Sequence, residues 1–130
     1  MNDFDITEIE DWIIAYVRDV LKVSATVFND RPKAIDKSIN DFVVARVSGR
    51  VTDVSAYGRC NVVFNLFARD ISNKKNSKKL SVMYKKLISG FPLEEGRYIV
   101  SGIPVLVGDV GDDFGFHDRV LQVKIIIKTS

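Results

Sequence analysis

From position 6 to position 21 the apolar residues fall at Ile6, Ile9, Ile13, Val17 and Leu21, with Ile14 and Val20 filling in. That spacing is the stripe of an amphipathic helix and predicts one over residues 6–22, capped by Asp5 or Thr7. Asp3, Asp5, Glu8, Glu10 and Asp11 crowd its start, where the helix macrodipole favours negative charge, and Arg18 and Lys22 complement its end. Trp12 and Tyr16, four apart, give it a second apolar side.

The period then changes. After a connection that holds a short strand at 25–28 and is broken by Asn29, Asp30 and Pro32, residues 41–70 read as two strands. In the first, Val43, Ala45 and Val47 face one way and Phe42, Val44 and Arg46 the other. In the second, Cys60, Val62, Phe64, Leu66 and Ala68 alternate with Arg59, Asn61, Val63, Asn65, Phe67 and Arg69, the clearest inside and outside in the chain. Between them GRVTDVSAYG is too long for a two-residue hairpin and predicts a wide loop or an extended β-arm. A polar loop, ISNKKNSKK, leads to a second helix over 77–89. Its N-cap is Asn76 or Ser77, its buried stripe is Leu80, Met83, Tyr84, Leu87 and Ile88, and Gly90 and Pro92 end it. Strands follow at 97–107, bent at Gly102 and Pro104, and at 119–128, where Leu121, Val123, Ile125 and Ile127 share a face.

The 130 residues therefore predict one α+β domain. Its antiparallel or mixed sheet has about four to five strands, with both helices packed on one face and a long β-hairpin arm. Composition adds exclusions. Apolar content of 46%, charged content of 28% and a net charge of +2 describe a globular chain with no general pull toward nucleic acid. No apolar run approaches the ~20 residues of a membrane helix, and the acidic start is unlike a signal peptide. The single cysteine, Cys60, precludes an internal disulfide, and no Cys/His set exists for zinc.

Candidate chemistry is sparse. Residues 107–120, VGDVGDDFGFHDRV, hold Asp109, Asp112, Asp113, Asp118 and the only histidine, His117. Carboxylates beside an imidazole suit a divalent cation or a proton relay. The spacing fits no calcium loop, however: Gly111 stands where a second ligand is needed and Val120 where the closing glutamate belongs. The segment reads as a glycine-rich loop between the last two strands, with solvated aspartates or Asx-turns. Lys74, Lys75, Lys78 and Lys79, with Lys85 and Lys86, form a basic patch without a glycine-rich phosphate loop. They support an alternative reading, a small nucleic-acid- or ligand-binding module. Arg46, Arg50, Arg59 and Arg69 extend that basic surface if they share a face. Cys60 points inward as an inert thiol, no GxSxG elbow is present, and neither an enzyme nor a cofactor is expected.

In VSGRVTDVSAYGRCNVVFNLFARD, NSKKLSVMYKKLISGFP and GRYIVSG a Tyr-Gly-Arg step is followed by a strand ending in aromatic-Ala-basic-Asp, a helix, and a strand after Arg-Tyr. This order, over residues 40–128 and preceded by the N-terminal helix, resembles the tail-terminator or tail-completion proteins of long-tailed bacteriophages, and related head-to-tail neck proteins. The resemblance implies a structural virion protein assembled in the host cytoplasm. It would be a ring, commonly a hexamer, of identical subunits that caps the tail tube or joins head to tail. Its partners would be further copies, other tail, neck or portal-proximal proteins, and DNA passing through the channel without sequence-specific binding. Trp12, Tyr16, Phe42, Val54, Tyr57 and Phe67 are then the expected subunit contacts, aromatics being favoured at interfaces, and Asp109, Asp112 and Asp113 the expected channel-facing loop.

Overall fold

A computed structural model describes residues 5–54, 57–111 and 114–128, and their side chains apart from those of residues 49, 50 and 52–54. Val54's side chain, Asp112 and Asp113 therefore lie outside the described part. Helix α1 (Ile6–Ala15) starts where Asp5 Oδ1 accepts a hydrogen bond from the Thr7 N–H at 2.9 Å. It widens into a π-helical turn, Tyr16–Val20, closed by Leu21 N–H donating to the Tyr16 carbonyl. Helix α2 (Ser77–Ile88) begins on Asn76, whose side chain accepts from the Lys79 N–H. At its end Gly90 is required by space: a Cβ there would stand 2.5 Å from a Leu21 methyl and 2.9 Å from the Tyr16 hydroxyl.

The strands are β1 (Val27–Phe28), β2 (Asp41–Val54), β3 (Tyr57–Arg69), β4 (Leu93–Glu95), β5 (Tyr98–Val100), β6 (Val105–Gly111) and β7 (Phe116–Lys128). They form one mixed sheet in the order β1-β2-β3-β7-β5-β4, with β6 also on β7; β1 runs parallel to β2 and every other pair is antiparallel. Seven strands replace the four to five expected. Strand β4 is additional, and the run 97–107 is two strands, because Gly102 and Pro104 interrupt it and proline has no N–H for a ladder. The segment 108–118 is mostly strand rather than loop. Backbone pairing from Gly108↔Val120 to Gly111↔His117 needs no apolar alternation, so it left no periodic signal.

The expected arm is also corrected. Strand β3 pairs with β7 along its whole length, from Tyr57↔Lys128 to Arg69↔Phe116, so the long hairpin is the middle of the sheet and does not project from it. The predicted period-2 face is where both helices pack. Val43, Ala45, Cys60, Val62, Phe64, Leu66, Ala68, Leu121, Val123, Ile125 and Ile127 meet Ile9, Ile13 and Val17 of α1 and Leu80, Met83 and Leu87 of α2.

A second, smaller core lies on the other side of the sheet. Phe42, Val44, Phe67 and Phe116 are covered by Phe28, Ile35 and Ile39 from the connection before β2. Phe42 stacks on its cross-strand partner Phe67 at 4.3 Å and meets Phe116 edge-on at 5.3 Å. Arg69 closes the lid, its guanidinium donating to the Ile39 carbonyl at 2.8 Å while lying 4.5 Å over the Phe116 ring.

Burial of this second core predicts that Phe42→Ala loses about 3–5 kcal/mol in chemical denaturation, as Phe64→Ala on the helix side does. The exposed control Val82→Ala should change stability by under about 0.5 kcal/mol. A loss near that of the control would mean that the connection 28–40 does not pack on the sheet.

Candidate functional site

The structure distributes the acid-rich segment instead of gathering it. Asp109, on β6, is held by Lys75 Nζ at 2.6 Å and by Arg119 Nη2 at 3.5 Å. Burial opposes ionisation of its carboxyl, but the hydrogen bond and charge of Lys75, followed by those of Arg119, prevail and hold it below the usual carboxylate range. Asp118 projects from the opposite face of β7 and accepts from Asn65 Nδ2 at 3.0 Å. His117 pairs elsewhere: its Nδ1 is 2.6 Å from Asp70 Oδ1. Among the described residues no three His, Cys, Asp or Glu side chains stand together as a metal-holding group, and no helix is long and apolar enough to cross a membrane.

The lysine patch is partly used within the chain. Lys75 holds Asp109 and Lys79 lies 3.3 Å from Asp41, while Lys74 and Lys78 are exposed. Cys60 is buried on the helix side of β3, and burial pushes its thiol up to about 11.

The residues expected to make subunit contacts are mostly taken up inside the chain. Phe42 and Phe67 are 0% and 3% exposed, in the second core. Trp12 stacks on Tyr98 at 4.3 Å, and Tyr16 packs edge-on against Phe91 and donates its hydroxyl to the Gly90 carbonyl at 2.6 Å. The second side of α1 is thus filled by the β4–β5 region and the end of α2. Tyr57 is half-buried at the start of β3.

Pattern reading missed the most unusual surface, β6. Its inner edge pairs with β7, and among the described residues no strand pairs with its outer edge. Val105, Leu106, Val107 and Val110 are 64%, 48%, 58% and 57% exposed, and Ile103 just before them is 52% exposed. The signal was the run IPVLV, apolar without alternation, but a bent inner strand explained it equally well. Although its register shifts between Leu106 and Gly108, an apolar edge that no strand covers is a template for another strand.

The other long edge is guarded. Strand β1 covers β2 only at Val43 and Val44, and farther along the Val47 N–H donates to Glu10 Oε2 of α1 at 2.9 Å, which sets a carboxylate against the open backbone. Fold and surface together define an α+β domain in which, among the described residues, β6 leaves an apolar edge open. No sequence profile of a known family matches the chain, and no curated protein matches it.

Two measurements check this geometry. The native Cys60 thiol should react with a thiol reagent at pH 8 about 100-fold more slowly than an ordinary cysteine, the thiolate fraction falling tenfold per pH unit of raised pKa; labelling at the ordinary rate would place it at the surface. Asp109→Asn should lose under about 1 kcal/mol at pH 7, since a partly exposed pair is screened. The Asp109 carboxyl is depressed in the folded state, so its stabilisation is present above the unfolded pKa near ~3.9 and is lost as pH falls through the folded one. Denaturation curves of the two proteins should therefore converge on acidification, and a gap that widened toward acid would contradict the pairing.

Proposed function

We propose that the chain is a structural virion subunit that assembles with copies of itself into a closed ring at the tail end or head-tail neck of a phage. There it would terminate the tail tube or join head to tail. The observation that carries this reading is the exposed apolar edge of β6, supported by the order of elements that resembles tail-terminator proteins. Four exposed apolar side chains on a strand whose outer edge is open, with Ile103 just before it, are a liability in an isolated chain and an asset in an assembly. Repetition of one subunit around a closed axis covers every such edge, whereas an open repeat leaves one exposed at each end.

Native mass spectrometry at micromolar concentration should find a discrete multiple of the chain mass. Leu106→Lys with Val110→Lys, which sets two charges on the edge, should return it to monomer with Tm lowered by only a few degrees, because neither side chain is in either core. A wild-type chain that stays monomeric under the same conditions would overturn the ring.

A further inference from the structure

On the face of the sheet away from the helices, the connection before β2 covers one end and leaves the rest open. Beyond the Phe42–Phe67–Phe116 cluster, the pairing register sets out its cross-strand rows: Arg46, Val63, Gln122 and Val105 in one, Ser48, Asn61 and Lys124 in the next, Arg59, Ile126, Ile99 and Glu94 in the third. Arg46, Arg59 and Lys124 are exposed, and none of them makes a hydrogen bond, ion pair or ring contact among the described residues. The amides Asn61 and Gln122 lie between them, half-buried. Among the described residues the acids of this face stand at its margins. Asp30 and Asp118 border Arg46 in a shallow groove, Asp118 accepting from Asn65, and Glu94 is paired with Lys128 at 3.2 Å.

We infer that this open face, through Arg46, Arg59 and Lys124, is a contact surface for the phosphate backbone of duplex nucleic acid. Strand spacing puts these three cations roughly 8–14 Å apart on a rigid sheet, too widely for one small anion to engage together and suited to an extended polyanion. The centre of the face carries no aromatic ring. Tyr57 lies at one end and the phenylalanines are buried at the other, so successive bases have nothing to stack on and the contact is with backbone. The apolar side chains of the centre, Val63 and Ile126, are half-buried, whereas the cations around them are exposed, and a surface led by exposed positive charge suits a polyanion. The face belongs to each chain, so the inference stands whether or not a ring forms.

The test is fluorescence anisotropy with a labelled mixed-sequence DNA duplex between about 50 and 200 mM salt. Each engaged chain should contribute about 2.7 to the slope of log affinity against log salt, three phosphates at ~0.9 each, which is roughly 40-fold in affinity over that range. Arg46→Gln, Arg59→Gln and Lys124→Gln together should remove that contribution, while the charge-keeping set Arg46→Lys, Arg59→Lys and Lys124→Arg retains it. Neutralising Lys74, Lys78 and Lys85 should leave the slope unchanged. Leu106→Gln with Val110→Gln, which makes the β6 edge polar without adding charge, should keep the slope per chain, which separates failure of this face from failure of the ring. Lack of duplex binding by the wild type, loss through the helix lysines instead, or equal displacement by poly-glutamate acting on the same three residues would each overturn the inference.

Discussion

The register of β7 is the constraint on which everything else depends. Its thirteen residues pair with β3 along one edge, while the other edge is divided between β6 at its start and β5 at its end. Side chains alternate strictly in a strand, so a one-residue slip would carry Leu121, Val123, Ile125 and Ile127 away from the helices and present Gln122 and Lys124 to them. It would also move Phe116 off the second core and Arg119 away from Asp109. Because the hydrophobic effect scales with buried apolar area, the four aliphatic residues alone fix the register strongly. Both faces of the sheet and the placement of β6 follow from that one choice.

What could be read in the chain divides along physical lines. The strand from Cys60 to Ala68 and both helices were legible because one side of each is apolar at a clear period, and caps such as Asn76 mark their starts. The second core was not, although its members were in view. Phe42 and Phe67 fall on the parity assigned to the outside, and the connection 28–40 is polar on average, so nothing local reveals that Phe28, Ile35 and Ile39 fold back over them. Tertiary contact decided what periodicity could not. The inner contacts of Trp12 and Tyr16 were hidden in the same way, since their partners Tyr98 and Phe91 lie far along the sequence. Strand β6 was hidden for another reason: its Gly-Asp portion pairs through backbone alone.

The candidate surfaces show the same contrast between residue type and placement. Aspartates clustered in sequence are dispersed by strand alternation, with Asp109 on one face of the sheet and Asp118 on the other, each already holding a partner. Arginines scattered over two strands are brought together by it, since Arg46, Arg59 and Arg69 share a parity. Arg69 is then drawn into the second core, and Arg46 and Arg59 stay in solvent. A cluster in sequence is thus weak evidence for a site on a strand, where neighbours point apart, and parity across paired strands is the stronger signal.

In the proposed ring, the ion pairs around Asp109 would bear on assembly more than on stability. Lys75 precedes α2, Arg119 lies on β7 and Asp109 lies on β6, so one carboxylate ties the outer strand to both the helix layer and the sheet. Partly exposed, these contacts contribute little to folding. Their effect is to restrain the strand that carries the apolar edge. An edge that were free to fray would lose conformational entropy on meeting a partner strand, whereas one already held in register loses less, and the difference appears directly as affinity. The aspartate that looked like a metal ligand in the sequence thus preorganises the surface through which copies of the chain would meet.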